Sequence, residues 1–596
     1  MWYRTSVYGV LAAGAAAIVT AAVPSSPIPL MQGNPAAQTK GQSGNPPAAR
    51  PALQVTTRLV QVSVVAHDGH GKPVEDLSRE DFRLFDNGQE VKVEFFEKET
   101  VGVRSGAPET PAAAGTPPIW SNRQARAGMP INLTILLFDA LNTKREDQSR
   151  ARTEIIKFLG RLQPEDRIAL YALGANIHVL HEFTSDTVSL LRVLGKYPGY
   201  NGADVVESHG ALPDDLLAQN NEPLDFQTAS EEVIQQAKTV DRVLRTTDAM
   251  EAIAAHVASL PGRKSLVWVS SSFPMLMGYE RDLMDAESWG LDQRDFTEQV
   301  DRASRALNDA NVAVYPVDPS ALDINTRAQS QRPPTSTNMR IASRAPATLA
   351  PNIAGKQTME EMAARTGGIA YYDTNDISGA IHSAMEDSRL VYTLAYTPEH
   401  GEWNDEFRKI KVEVKRSGVH LRYRSGYLAT PFKPLDPAQK DHVLAEAQWS
   451  PIEAAEIGLK FQAQPAPVAG GKPGLRFLLV ADPAGLRFVE TEGTHAADLV
   501  LTLAQKAADG HLVFEETKTL NMRLKEDRYQ AVMAQGLKLG GSQTVDPAAT
   551  EFRVVLLDIA TGRLGSVHVP MSKLGLSAPA AAAAPTAAPA SDKPKP

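Results

Sequence analysis

A largely apolar run from Ile131 to Phe138, broken only at Asn132 and Thr134, stops at a carboxylate, Asp139, and an amide and a hydroxyl follow at Asn142 and Thr143. In a parallel α/β sheet, ligands bind at the carboxyl ends of the strands, near the point where strand order reverses. Asp139 stands at such an end. Other reactive side chains fit their surroundings less well. His178 and His181 lie in a predicted strand at a spacing that points them to opposite faces. Ser270 to Ser272 offer hydroxyls, but no glycine-flanked elbow surrounds them and no histidine is placed to take a proton. Gly367-Gly368 reads as a left-handed helix stop, not a phosphate loop. The acidic pairs Asp214-Asp215 and Glu231-Glu232 read as solvated faces, and Trp268 as core.

Composition closes several routes. The chain has no cysteine, which removes disulfides, thiolate zinc sites and thiol nucleophiles together. Its 61 basic and 70 acidic residues give a net charge of -9, the wrong sign for a nucleic-acid binder that must displace counterions. Apolar residues make up 43%, enough for packed cores, and 596 residues exceed what one core organises.

The elements that must position Asp139 follow from pattern. Arg4, an apolar run from Val7 to Val23 and the small residues Thr20, Ala21 and Ala22 describe a secretory signal peptide over 1–22, with an uncleaved anchor helix as the alternative reading. The expectation is export to the periplasm, outer surface or medium, with no transmembrane span after signal removal. A Pro/Ala/Gln/Gly-rich spacer covers 23–52. Alternating β-branched residues and an Asn87-Gly88 hairpin signal predict a small β-domain over 53–100, and 101–128 reads as a linker. From 129 to 430 strands alternate with helices, predicting an α/β fold with a doubly wound, mostly parallel sheet. Excursions at 196–240 and 319–355 interrupt it, and strands at 391–430 are appended. Short strands without helical period predict an antiparallel β-sandwich over 440–574, and an Ala/Pro-rich tail fills 577–596.

The stretch Phe138-Asp139-Ala140-Leu141-Asn142-Thr143 resembles the von Willebrand factor A-type superfamily, whose metal-ion-dependent adhesion site opens with Asp-x-Ser-x-Ser after the first strand. Asp139 and Thr143 match the first and last positions; Leu141 replaces the central serine, and Asn142 offers an amide oxygen one place away. The resemblance implies a second element, a threonine in a loop leading into a helix, which Thr247 supplies ahead of a helix at 248–260. A third element is an aspartate ending a strand, and Ser271 takes that position. Asp139, Asn142, Thr143 and Thr247 are thus the implied ligands of a hard cation such as Mg2+, which takes oxygen donors in octahedral array. With one carboxylate instead of two, the ion would be weakly held.

Three segments are also similar to the von Willebrand A-related family of exported proteins described from Acidobacteria: Val62–Asp68 with Asp81–Gly88, Phe138–Thr143, and Tyr392–Pro398 with Val419–Tyr427. Together they span about 55–430. The resemblance implies a non-enzymatic, adhesion-type binding protein that meets a protein partner through Asp139, Asn142, Thr247 and Ser271. Two other readings stand beside it: a metal-independent envelope scaffold working through its β-domains, and a hydrolase using Ser271 or a carboxylate.

Overall fold

Side chains alternate along the strand Leu133–Asp139, so Leu133, Ile135 and Leu137 enter one apolar core while Leu136 and Phe138 enter another. A strand is apolar on both faces only where both are covered. The computed structural model describes residues 59–100, 118–123, 133–197, 226–271, 296–320, 350–398, 403–468 and 473–574, apart from a few single positions. The expected signal peptide, the 23–52 spacer, the 577–596 tail, and 200–225 and 321–349 of the two excursions lie outside the described residues. No helix among the described residues is long and apolar enough to cross a membrane.

The chain is a mixed α/β protein with several sheets. Among the described residues the central sheet has five strands, ordered Val312–Val317, Lys264–Val269, Leu133–Asp139, Arg167–Leu173, Ile177–Thr184. The first four are parallel and the last is antiparallel. Only three residues, 174–176, join the last two strands, too few for the crossover a parallel pair needs. The chain starts on the middle strand, steps outward twice, and then crosses to the other side. Its direction reverses between Leu133–Asp139 and Lys264–Val269, so the crevice of the sheet opens beside Asp139 and Ser270.

Helices Arg145–Leu159, Thr187–Lys196 and Ile377–Glu386 cover one face through residues such as Ile155, Leu190 and Ile381. Helices Phe226–Val257, Thr297–Asp309 and Ala350–Thr366 cover the other through Met250, Leu307 and Met362. The helix expected to begin at 248 instead starts at Phe226. No glycine or proline interrupts 226–257, and Val243, Met250, Ile253 and Val257 keep helical spacing into the core.

The strands of 53–100 and 391–430, read from sequence as separate pieces, share their sheets. Val60–His67 and Phe95–Thr100 flank Leu390–Tyr396 in one sheet, and His420–Arg422 joins at its edge. Phe82–Asp86, Gln89–Val91, Phe407–Val414 and Gly426–Leu428 form a second. Val62, Leu84, Tyr392 and Ile410 meet in the core between them. Which strand pairs with which is a long-range choice that local pattern does not carry. The hairpin at Asn87-Gly88 is where the sequence places it, with φ of 49° and 87°.

The carboxyl-terminal region is two antiparallel sheets around a core that includes Phe461, Phe477 and Phe552. Two features depart from the sequence reading. A strand, Ile119–Ser121, lies inside the expected 101–128 linker and pairs with Leu459–Pro465. Helices Pro437–Trp449 and Glu526–Gln535 interrupt a region read as strands alone. The first opens with an Asp436 capping box and proline in its first turn, a legible start signal.

Candidate functional site

Asp139 ends its strand wholly buried, so its charge must be met from within the protein. One oxygen accepts the backbone N–H of Asn142 at 2.9 Å. The other accepts the Asn142 side-chain amide and the Trp268 indole N–H, each at 2.9 Å. The Ser270 hydroxyl also bonds to the carboxylate. Burial raises the Asp139 pKa, opposed by the donors from Asn142, Trp268 and Ser270. The positive charge of Arg242 lies close enough to act on it.

Asn142 continues the lock inward. Its amide also donates to Thr246 Oγ1 at 2.8 Å, and that hydroxyl donates to Arg242 O at 2.7 Å. Gln148 pins the turn by donating to Ala140 O and Thr143 O. Strand end, turn and following helix are therefore one hydrogen-bonded unit.

Thr247 lies elsewhere than its expected role requires. It sits inside the Phe226–Val257 helix, fully buried, and its hydroxyl donates to Val243 O and Leu244 O. Threonines in a helix interior routinely bond back to the preceding turn in this way. The structure thus brings Asp139 and Asn142 together and joins them to Thr246, not Thr247.

Thr143 and Ser271 meet on a different, more open layer. The Ser271 N–H donates to Thr143 Oγ1 at 3.3 Å, and Ser271 Oγ donates to Asp147 Oδ2 at 3.3 Å. Ser320 Oγ approaches the same oxygen at 3.5 Å. The Asp147 pKa is raised by partial burial, opposed by Ser271 and reinforced by repulsion from Asp318. Asp318 itself pairs with Lys356 at 2.8 Å.

These residues do not fit a divalent ion at Asp139. An ion needs lone pairs facing a common point, whereas both Asp139 oxygens face N–H and O–H donors and the Thr247 hydroxyl is committed to its own helix. No group of three or more His, Asp or Glu side chains among the described residues is arranged to hold a metal. His181 Nδ1 is engaged with Glu182 O.

Several participants were not singled out from sequence as site residues, Trp268, Asp147 and Asp318 among them. Trp268 is core, as read, but its one polar atom caps the buried carboxylate. Asp147 carries no strand-end signal, because it sits in the first turn of a helix. Asp318 directly follows the strand Val312–Val317, so the rule that selects Asp139 selects it equally.

No family profile matches the chain, and no curated protein matches it. Solved structures overlap it loosely. An aerotolerance-related membrane protein from Bacteroides fragilis is 11% identical over 43% of this chain and 98% of that one, with a TM-score of 0.23. A von Willebrand factor type A protein from Catenulispora acidiphila is 7% identical over 57% and 74%, with a TM-score of 0.24. A pilus adhesin from Lactobacillus rhamnosus GG is 9% identical over 80% and 60%, with a TM-score of 0.25. At this level of similarity none assigns the chain to a family.

Proposed function

We propose that the chain is an exported, non-enzymatic protein-binding protein. In this reading its central unit is a von Willebrand A-type domain, doubly wound about the reversal point at Asp139, with a β-sandwich unit on either side. The partner docks on the rim formed by Thr143, Asp147, Ser271 and Ser320, without an ion. One observation carries this: Asp139, the residue on which an ion-dependent site would depend, is spent on Asn142, Trp268 and Ser270. What remains at the carboxyl ends is a half-buried layer of hydroxyls around one carboxylate, suited to hydrogen bonding with a polar partner surface. Export is read from Arg4 and the Val7–Val23 run.

The test is site-specific photo-crosslinking in the native cell envelope from position 271 and, separately, from the exposed Leu478 of the carboxyl-terminal unit. The expected result is one discrete protein partner captured from position 271, equally with and without chelator. Capture abolished by chelator would restore an ion-dependent mechanism. Capture from position 478 alone would favour a scaffold acting through its β-sheets.

A further inference from the structure

Away from the rim, at the amino-terminal end of the central strands, a cavity of about 180 Å3 lies between the small sandwich and the α/β unit. That is room for a molecule, not merely a single water. Two guanidinium groups line it: Arg263, just before the strand Lys264–Val269, and Arg424, between His420–Arg422 and Gly426–Leu428. Arg263 is 3% exposed. Its hydrogen bonds end on neutral oxygens: Ser63 O at 3.2 Å, Tyr315 Oη at 3.3 Å and Gly367 O at 2.5 Å.

The Nε atoms of both arginines are buried and make no hydrogen bond. Nearby carboxylates are few. Asp309 lines the cavity and acts on Arg424. Asp387 is reached only through Tyr315, and Arg422 already grips it with two contacts at 2.8 Å while His67 stands at 3.5 Å. Among the other polar walls, Ser63 Oγ donates to Asn311 Oδ1, Thr366 Oγ1 to Met362 O and Asn308 Nδ2 to Arg365 O. Among the described residues, two cations therefore share this space with one carboxylate at its wall. An uncompensated buried charge is costly, and a guanidinium edge is matched geometrically by an oxyanion.

We propose that this cavity binds a small oxyanion, a carboxylate- or phosphate-bearing molecule, bridging Arg263 of the α/β unit and Arg424 of the sandwich. The bound anion meets the two guanidinium groups that line the cavity and balances the excess positive charge. It also ties the two units together at a point remote from the rim.

The test uses the full chain, with sodium phosphate, sodium succinate and sodium chloride at matched ionic strength. Phosphate or succinate raises Tm in a concentration-dependent way and slows deuterium uptake at both 262–265 and 422–426; chloride does neither. The tighter of the two active salts tells phosphate from carboxylate. Arg424→Gln weakens binding at least tenfold, and Arg424→Lys falls between. An undiminished effect in a folded Arg424→Gln variant overturns the proposal. Should that variant not fold, absence of anion-specific protection at both segments of the unsubstituted protein overturns it equally. None of these outcomes bears on partner docking at the rim.

Discussion

The indole N–H of Trp268 donates to Asp139 Oδ2 at 2.9 Å across two neighbouring parallel strands, with both residues fully buried. The contact ties the strand that opens the α/β unit to the one on the far side of the chain reversal. In a low-dielectric interior such a bond matters mainly through the cost of leaving one partner unmet. Asp139→Asn would turn an amide donor toward existing donors and is expected to cost about 2–3 kcal/mol. In a double-mutant cycle with Trp268→Phe, urea unfolding should show a coupling of about 1–2 kcal/mol. Additive effects would mean the two residues act independently.

Lys264 gives a pH prediction. It is 1% exposed at the amino-terminal end of the strand Lys264–Val269, its amine donates to Leu260 O at 2.6 Å, and burial lowers its pKa from 10.5 to about 7. Between these values the unfolded chain binds the proton more strongly, so this residue makes stability rise with pH from about 7 to about 10.5. As pH falls through about 7, that contribution is lost. Lys264→Met should flatten this slope and raise stability at pH 7 by about 1–3 kcal/mol. Guanidinium titrations at pH 7 and 9.5 check both effects, and an unchanged slope would show that the amine is not the source.

Asn122 anchors the short strand that joins the carboxyl-terminal sheet. Its amide donates to Ala454 O and Ile457 O at 2.6 and 2.8 Å, and its carbonyl accepts the Leu459 N–H at 2.7 Å. Asn122→Ala strands three buried backbone groups, at an expected cost of about 2–4 kcal/mol. Hydrogen exchange should quicken first at the Leu459 amide. Protection equal to the unsubstituted protein would mean that Ile119–Ser121 stays docked by backbone pairing alone.

Gly368 follows the helix Ala350–Thr366, and a Cβ there would collide with the carbonyl of Val314 in the adjoining strand. Backbone cannot yield as a flexible side chain does. Gly368→Ala is expected to destabilise by more than about 3 kcal/mol. Thermal unfolding checks it, and a Tm within 2 °C or so of the unsubstituted protein would refute the collision.

The central strands and Asp139 were legible because burial on both faces leaves a mark in the sequence itself: Leu133 to Phe138 is apolar apart from Thr134. The first helices were legible for the same reason at a different period. Thr247 was misplaced because its role came from resemblance, while the local pattern already carried a helix through it, unbroken from Phe226. The Ile119–Ser121 strand was not legible at all. Three residues in a proline- and alanine-rich stretch hold no period, and their pairing is decided by Leu459–Pro465, more than three hundred positions away. The commitment of Asp139 to Trp268 was hidden similarly, since sequence shows a carboxylate but not which way its neighbours' donors point.

The pairing of Ile119–Ser121 with Leu459–Pro465, and of Phe95–Thr100 with Leu390–Tyr396, means the chain visits each β unit twice, once before and once after the α/β strands. Covalent order and spatial order are interlaced, as in stitching. A protease that cuts once between 101 and 117 would produce two fragments that still migrate as one particle, because the first β unit contains strands from both sides of the cut, Val60–His67 and Phe95–Thr100 before it and Leu390–Tyr396 after it. The separated fragments would appear only under denaturing conditions. A nick there would thus cut the chain without releasing any piece of the molecule.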